Sequence, residues 1–134
     1  MSVHKYTSWG RTRQPKNLAG PHGTEAATAT GNPSSATDGY ATENQKSLHL
    51  YLTESQNTAK TITVYGYIHA FGEWFVLKDS GGSNVTIAAT NTTVYKIGAE
   101  AIDISGIDRV YFKTSVALHA DDVFYAAAST ILGS

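Results

Sequence analysis

The sequence predicts an all-β protein, an antiparallel β-sandwich of the jelly-roll type over residues 47–134, preceded by an extended and mostly irregular N-terminal arm over residues 1–46. Two observations predict the sandwich. Apolar and polar residues alternate with period two over residues 48–52, 62–68 and 85–89, which is the pattern of strands with one buried face. About seven or eight such segments follow at roughly ten-residue spacing, separated by Gly, Asn and Ser turns, as in sandwiches and barrels.

The arm is predicted from composition. Its only large aliphatic residues are Val3 and Leu18, and turn formers such as GNPSS and TDGY dominate the rest. Its first sixteen residues contain no acid and four basic residues, Lys5, Arg11, Arg13 and Lys16. Two interpretations stay open: a solvated tail, or an extended arm that orders against a partner with Trp9 as an anchor.

The first strands come directly after the arm. Leu48, Leu50 and Leu52 alternate with polar residues and predict a half-buried strand, and residues 53–59 form a polar connection. The segment 60–78, KTITVYGYIHAFGEWFVLK, is the densest apolar and aromatic stretch of the chain. We expect it to be the strand around which the core is built, with the following residues facing inward: Ile62, Val64, Gly66, Ile68 and Ala70.

Gly66 interrupts this inward face, and we expect it to leave room for a large neighbour such as Trp74 or Phe112. After a bend near Gly72, residues 74–77 are apolar on both faces, which predicts a central strand covered on both sides. The segment 79–84, DSGGSN, is a strong turn signal and should close a hairpin.

The remaining segments are shorter. Val85, Ile87 and Ala89 predict an inward face, residues 94–97 a short strand, and Val110 with Phe112 a returning strand. Val116 and Leu118 predict a further short segment. The stretch 121–132 has both helical spacing and strand formers, and we predict a strand because every preceding segment is one.

Composition limits the possible functions. The chain has 134 residues, enough for one domain with a core, a net charge of −1 and no cysteine. We therefore expect no disulfide or thiolate site, and no general electrostatic attraction to nucleic acid or membrane. No run approaches the roughly 20 apolar residues of a membrane span, and the N-terminus lacks a signal-peptide pattern. Charged residues make up only 16%, which suits β-rich proteins that bury surface in assemblies.

The sequence contains no catalytic or metal-binding motif. The five histidines are widely separated, the aspartates lack calcium-loop spacing, and no nucleophile elbow or phosphate loop occurs. The glutamates are assigned to polar loops with nothing to raise a pKa: Glu43, Glu54, Glu73 and Glu100. We therefore predict no catalytic residue, no metal and no cofactor, and a protein that is not an enzyme.

The outward face of the segment 60–70 is the main candidate surface, because Thr61, Thr63, Tyr65, Tyr67 and His69 line it. Three interpretations are open: packing or coverage by the arm, a subunit interface, or a sugar platform. The candidate interface residues are Trp9, Arg11, Arg13, Tyr65, Tyr67 and His69.

The C-terminal pattern AIDISGIDRVYFKTSVALHADDVFYAAAST resembles the ends of jelly-roll modules on phage capsids and tails. With the aliphatic-poor arm, the chain looks like the small accessory structural proteins of tailed-phage virions. The resemblance implies a capsid cement or decoration protein in the virion, a homo-oligomer with a trimer favoured, which binds and stabilises the shell of major capsid protein without contacting nucleic acid or membrane. The alternative is a carbohydrate- or receptor-binding module of a phage tail or fibre that uses Tyr65, Tyr67 and Trp74.

Overall fold

The computed structural model describes residues 16–19 and 29–130, and these residues form ten strands and one short 3₁₀ helix. The strands are β1 (Lys16–Ala19), β2 (Tyr40–Ala41), β3 (Ser47–Thr53), β4 (Lys60–Ile68), β5 (Glu73–Val76), β6 (Thr86–Ala89), β7 (Thr93–Lys96), β8 (Ile102–Asp103), β9 (Arg109–Thr114) and β10 (Val123–Ser129). The 3₁₀ helix is Gly98–Glu100. The prediction of an all-β fold is confirmed.

The strands form two antiparallel sheets. The first sheet has the order β1-β10-β3-β7, and β8 pairs with β3 beside β7. The second sheet has the order β2-β9-β4-β5, and β6 pairs with β4 beside β5. In each sheet, therefore, two short consecutive strands share one edge of a long central strand, and the arrangement is that of a β-sandwich.

One hydrophobic core lies between the inner faces of the two sheets. Its fully buried members include Leu48, Leu50, Leu52, Ile62, Val64, Val110, Phe112 and Phe124. Phe112 of the second sheet and Phe124 of the first meet edge to face, with ring centroids 5.1 Å apart. Burial of these apolar side chains is the main stabilising contribution of the fold.

Most of the predicted strands are confirmed. In these strands the alternation of apolar and polar residues correctly predicted which side chains are buried. Leu48, Leu50 and Leu52 face the core from β3, and Val110 and Phe112 face it from β9. The turn at residues 79–84 closes a hairpin in which the Asp79 amide donates to the Ser83 carbonyl. The ambiguous segment 121–132 contains strand β10.

The alternation predicted for β4 fails at its end. The strand stops at Ile68, which is only half-buried, and Ala70 is exposed in the following turn. The reason is local: the amides of Phe71 and Gly72 both donate to the Ile68 carbonyl, and this tight turn ends the inward face.

Three other expectations were wrong. β5 is an edge strand paired only with β4, so residues 74–77 are not a central strand. A Cβ atom at Gly66 would lie 2.7 Å from Leu77 and 3.3 Å from Phe75, so these residues, rather than Trp74 or Phe112, occupy the space. Val116 lies in a loop and is exposed, because β9 ends at Thr114.

Much of the predicted arm, residues 1–15 and 20–28, lies outside the described residues, and the division at residue 47 stays a prediction. Where the first 46 residues are described, they contact the sandwich. β1 and β2 pair with β10 and β9, and Leu18 and Tyr40 pack against the core. Backbone pairing supplies the contacts that the aliphatic-poor composition does not.

Candidate functional site

The outward face of β4 carries a cluster of aromatic rings. Tyr67 lies between Trp74 and His69, with ring centroids 5.1 and 5.4 Å away, and Trp74 and Tyr65 both contact Tyr111, at 5.9 and 6.2 Å. We call Tyr65, Tyr67, Trp74 and Tyr111 the covered cluster. Tilted and edge-to-face contacts of this kind stabilise aromatic groups beyond simple burial.

Residues 29–39, here called the strap, run along β9 on this face. The Trp74 indole N–H donates to the Ser35 carbonyl at 2.9 Å, and the Tyr111 hydroxyl donates to the Gly31 carbonyl at 2.8 Å. Arg109 donates to three strap carbonyls, those of Thr37, Asp38 and Gly39. Tyr67, which packs against Trp74, is only 7% exposed. The strap therefore contacts the aromatic residues beside Tyr67 on the face that was the predicted interface.

The strap is shaped by its own carboxylate. Asp38 accepts hydrogen bonds from the amides of Ser34 and Ser35, both at 2.9 Å, and these bonds lower the pKa of Asp38. The side chains of the sandwich supply most of the remaining donors, and backbone carbonyls of the strap accept them. Coverage therefore depends on the backbone carbonyls of the strap and on the turn that Asp38 stabilises.

A second set of tyrosines lies on the outward face of the first sheet. Tyr125 of β10, Tyr51 of β3 and Tyr95 of β7 are direct cross-strand neighbours, and they are 42%, 38% and 54% exposed. We call these three residues the tyrosine row. Tyr51 and Tyr125 meet edge to face at 6.0 Å.

The outward positions of the three strands that carry the tyrosine row are uncharged, while on β8 Asp103 pairs with Ser47 on the same face. The other outward positions on β3, β7 and β10 are occupied by Ser, His, Thr, Val and Ala residues. Thr53 and Thr93 share a hydrogen bond of 2.7 Å at one end of the row. Aromatic rings among small polar groups form a surface suited to binding, because each ring offers an apolar face and a hydroxyl.

Local sequence patterns do not reveal this row. Each of the three strands contributes one tyrosine, and only the order β10-β3-β7 places them side by side. One signal was available: inward Leu50 and Leu52 require Tyr51 to face outward.

A buried ionic cluster joins three loops at one end of the sandwich. Lys60 Nζ lies 2.5 Å from Asp122 Oδ2 and 3.3 Å from Glu54 Oε2, and all three residues are nearly inaccessible. Glu54 lies in the polar connection after β3, as the sequence predicts, but its side chain is buried. The carboxylates also accept amide hydrogen bonds: Glu54 from Gln56, Thr58 and Asn91, and Asp122 from Ser55 and His119.

These contacts fix the charge states of the cluster. Burial alone would raise the pKa of Asp122, but hydrogen bonds from Lys60, Ser55 and His119 lower it to about 2. The pKa of Glu54 is lowered and that of Lys60 is raised by the same network, in each case against the effect of burial. The cluster is consequently ionised at neutral pH and holds the loops together.

The remaining candidates are scattered. Trp9, Arg11 and Arg13 lie outside the described residues. His69 is exposed, and its amide donates to Asp108 at 2.7 Å. Within residues 16–19 and 29–130, no group of three His, Asp or Glu side chains is placed to hold a metal ion.

These observations define the class of protein as an all-β protein of two antiparallel sheets, with one partly covered aromatic face and one exposed tyrosine row. No helix of the described part is long and apolar enough to cross a membrane. Comparisons with protein-family models, curated proteins and solved structures give no match.

Proposed function

We propose that this chain is a structural virion protein, a capsid cement or decoration protein that binds and stabilises a shell of major capsid protein as a homo-oligomer, with a trimer favoured. The observation that carries the proposal is the tyrosine row. It is an exposed, neutral aromatic surface on the sheet whose edge strand, β1, directly follows the basic residues 1–15.

The strand order supports the jelly-roll form of the sandwich. When β5 and β6 count as one strand, and β7 and β8 as another, the chain has eight strands in the orders 1-8-3-6 and 2-7-4-5. All neighbours are antiparallel. This order is the one that an eight-stranded jelly roll would have, and it supports that part of the proposal, since jelly rolls recur in viral capsid proteins.

The tyrosine row suits a protein interface. Tyrosine is enriched in interfaces because it gives a large contact area and a hydroxyl while losing little side-chain entropy. The row spans three strands, about 15 Å, and with about six residues of each strand, about 20 Å, the face around it measures roughly 300 Å². A stable interface needs about 800 Å² per partner, so the row requires additional contacts.

The basic N-terminal segment and oligomerisation supply such contacts in this proposal. Lys16 pairs with Ala128 of β10, the strand that carries Tyr125. Residues 1–15 contain Lys5, Arg11 and Arg13 and no acid, and an extended segment of this length reaches up to about 50 Å. The tyrosine row and the basic segment therefore belong to the same sheet, and in this proposal they bind the same partner surface. That surface would carry acidic groups close to where it contacts the row. Several copies in an oligomer strengthen attachment through multivalency.

The test is re-binding to shells stripped of this protein. The triple variant Tyr51→Ala, Tyr95→Ala, Tyr125→Ala should bind at least about 100-fold more weakly, since tyrosine anchors commonly contribute more than 1 kcal/mol each. The matched control is Phe71→Ala, which removes an exposed aromatic residue elsewhere. Its binding should equal that of the wild type.

Deleting residues 2–15 measures the contribution of the basic N-terminal segment to binding separately from that of the tyrosine row. The truncated protein should bind more weakly at low salt and lose much of its salt dependence, because screening acts on the basic residues. Equal binding by the wild type and the triple variant would overturn the proposed role of the row, provided that circular dichroism shows both folded.

A further inference from the structure

The second sheet carries a hollow of about 480 Å³ on its outward face. It lies between the start of the strap on one side and the hairpin at residues 78–84 on the other. Its lining residues are Thr30, Thr61, Thr63, Tyr65, Val76, Asn84, Lys113, Thr114 and Ser115. Its volume falls within the range of small-molecule sites, about 300–1,000 Å³.

Several polar groups in the hollow are available to a ligand. Thr61, Thr63 and Tyr65 follow one another along the outward face of β4, and their hydroxyls have no hydrogen-bond partner among the described residues. The Asn84 amide uses its oxygen to accept from Lys78, which leaves its N–H₂ group as a donor. The floor of the hollow therefore presents hydroxyl and amide groups in a line beside an aromatic ring.

The charge of the lining disfavours cationic ligands, because no acidic residue is among the described residues that line the hollow. Lys113 is the one cationic residue among them, and its ammonium donates to Asn32 of the strap at 2.8 Å. The hydroxyl and amide groups along the floor of the hollow are neutral.

We propose that this hollow binds a neutral saccharide. Sugar hydroxyls both donate and accept hydrogen bonds, which matches the hydroxyls of Thr61 and Thr63 and the amide of Asn84. The apolar C–H face of a sugar ring packs against an aromatic ring, and Tyr65 is the aromatic residue of the hollow.

This site differs from the sugar platform that the sequence predicts on Tyr65, Tyr67 and Trp74. Tyr67 is buried and the Trp74 indole is bound to the strap, so only Tyr65 belongs to the hollow. The hollow and the tyrosine row lie on the outward faces of opposite sheets. A molecule attached through its row would consequently hold the hollow away from the attachment surface, although saccharide binding does not depend on that attachment.

The test is amide chemical-shift mapping of the ¹⁵N-labelled full chain titrated with glucose, galactose, N-acetylglucosamine and their neutral oligosaccharides. Binding should shift the amides of Thr61, Thr63 and Asn84. Thr63→Val, which replaces a hydroxyl by a methyl group of similar size, should weaken binding roughly tenfold, the effect of about one lost hydrogen bond. Tyr65→Ala should weaken it at least as much, whereas Tyr65→Phe should retain the stacking contribution.

The matched controls carry the same changes on the opposite sheet. Thr93→Val and Tyr95→Ala should bind the saccharide as the wild type does. Absence of shifts with every sugar at millimolar concentration would overturn the proposal. So would binding that Thr63→Val, Tyr65→Phe and Tyr65→Ala all leave unchanged. Neither result bears on shell binding, which the tyrosine-row variants test separately.

Discussion

The two outward faces of the sandwich carry similar aromatic residues with different accessibility. Tyr67 of the covered cluster is 7% exposed, whereas Tyr95 of the tyrosine row is 54% exposed. The difference comes from the neighbouring donors. On the second sheet Arg109, Trp74 and Tyr111 donate to the carbonyls of the strap, while the positions around the row carry small neutral residues. Whether a loop covers an aromatic face thus depends on side-chain donors that can hydrogen-bond to the backbone carbonyls of that loop.

The largest expected effect comes from breaking the buried ionic cluster of Glu54, Lys60 and Asp122, which joins the two sheets. Lys60→Met leaves Glu54 and Asp122 buried without their cation, and we expect the free energy of unfolding to fall by about 3–5 kcal/mol. Urea unfolding followed by tryptophan fluorescence measures it. The control Lys78→Met removes an exposed lysine and should change stability little. A Lys60→Met protein as stable as the wild type would show that the cluster contributes no net stability.

The next effect separates the two faces directly. Tyr67→Ala should cost about 3 kcal/mol, because it removes a buried ring and leaves a cavity beneath the strap. Tyr95→Ala should cost about 1 kcal/mol or less, because an exposed ring on an edge strand loses little contact. Thermal unfolding of the two variants under one set of conditions tests the difference. Equal losses would mean that the strap does not bury Tyr67 in solution.

Acid should also weaken the buried ionic cluster. We expect the resulting loss of stability to be smaller than the loss caused by Lys60→Met. The pKa of Asp122 is lowered from 3.8 to about 2 and that of Glu54 is lowered from 4.5. Groups with lowered pKa contribute their stability above the unfolded-state pKa and lose it as the pH falls through the folded-state value. The melting temperature should therefore decline between about pH 4.5 and 2. In Asp122→Asn the decline should be shallower, and an identical slope in both proteins would contradict this assignment.

The smallest effect is chemical and leaves the fold intact. Mild nitration should modify Tyr51, Tyr95 and Tyr125 before Tyr67 and Tyr111, because the row is exposed. Burial also raises the pKa of Tyr111 and thus disfavours the reactive phenolate. Peptide mapping by mass spectrometry gives the order of modification. Modification of Tyr67 as early as Tyr95 would remove the distinction between the faces.

The strands could be predicted from the sequence because period-two alternation determines burial locally. The buried side of β3 follows from three leucines alone. The end of β4 could not be predicted, since the turn that stops the strand at Ile68 depends on two backbone hydrogen bonds. Coverage of this face by the arm was one of three interpretations that the sequence left open, because the contacts of the strap are made by its backbone carbonyls and by donors from β5 and β9.

The candidate sites required the strand order. The tyrosine row comes from three strands that are distant in sequence, and Lys60 and Asp122 are 62 positions apart. No local spacing places such residues together. The hydroxyls of Thr61 and Thr63 were predicted to face outward, but the walls of their hollow come from the strap and the hairpin.

The position of β10 has a consequence for biosynthesis. This strand is the last of the ten, yet it lies inside the first sheet, between β1 and β3. While the ribosome is still making the chain, the leucine-bearing strand β3 has one edge without a partner until Ser129 has emerged. Unpaired apolar edges invite association between nascent chains. Pairing of the seven-residue strand β10 with β3 therefore removes that edge.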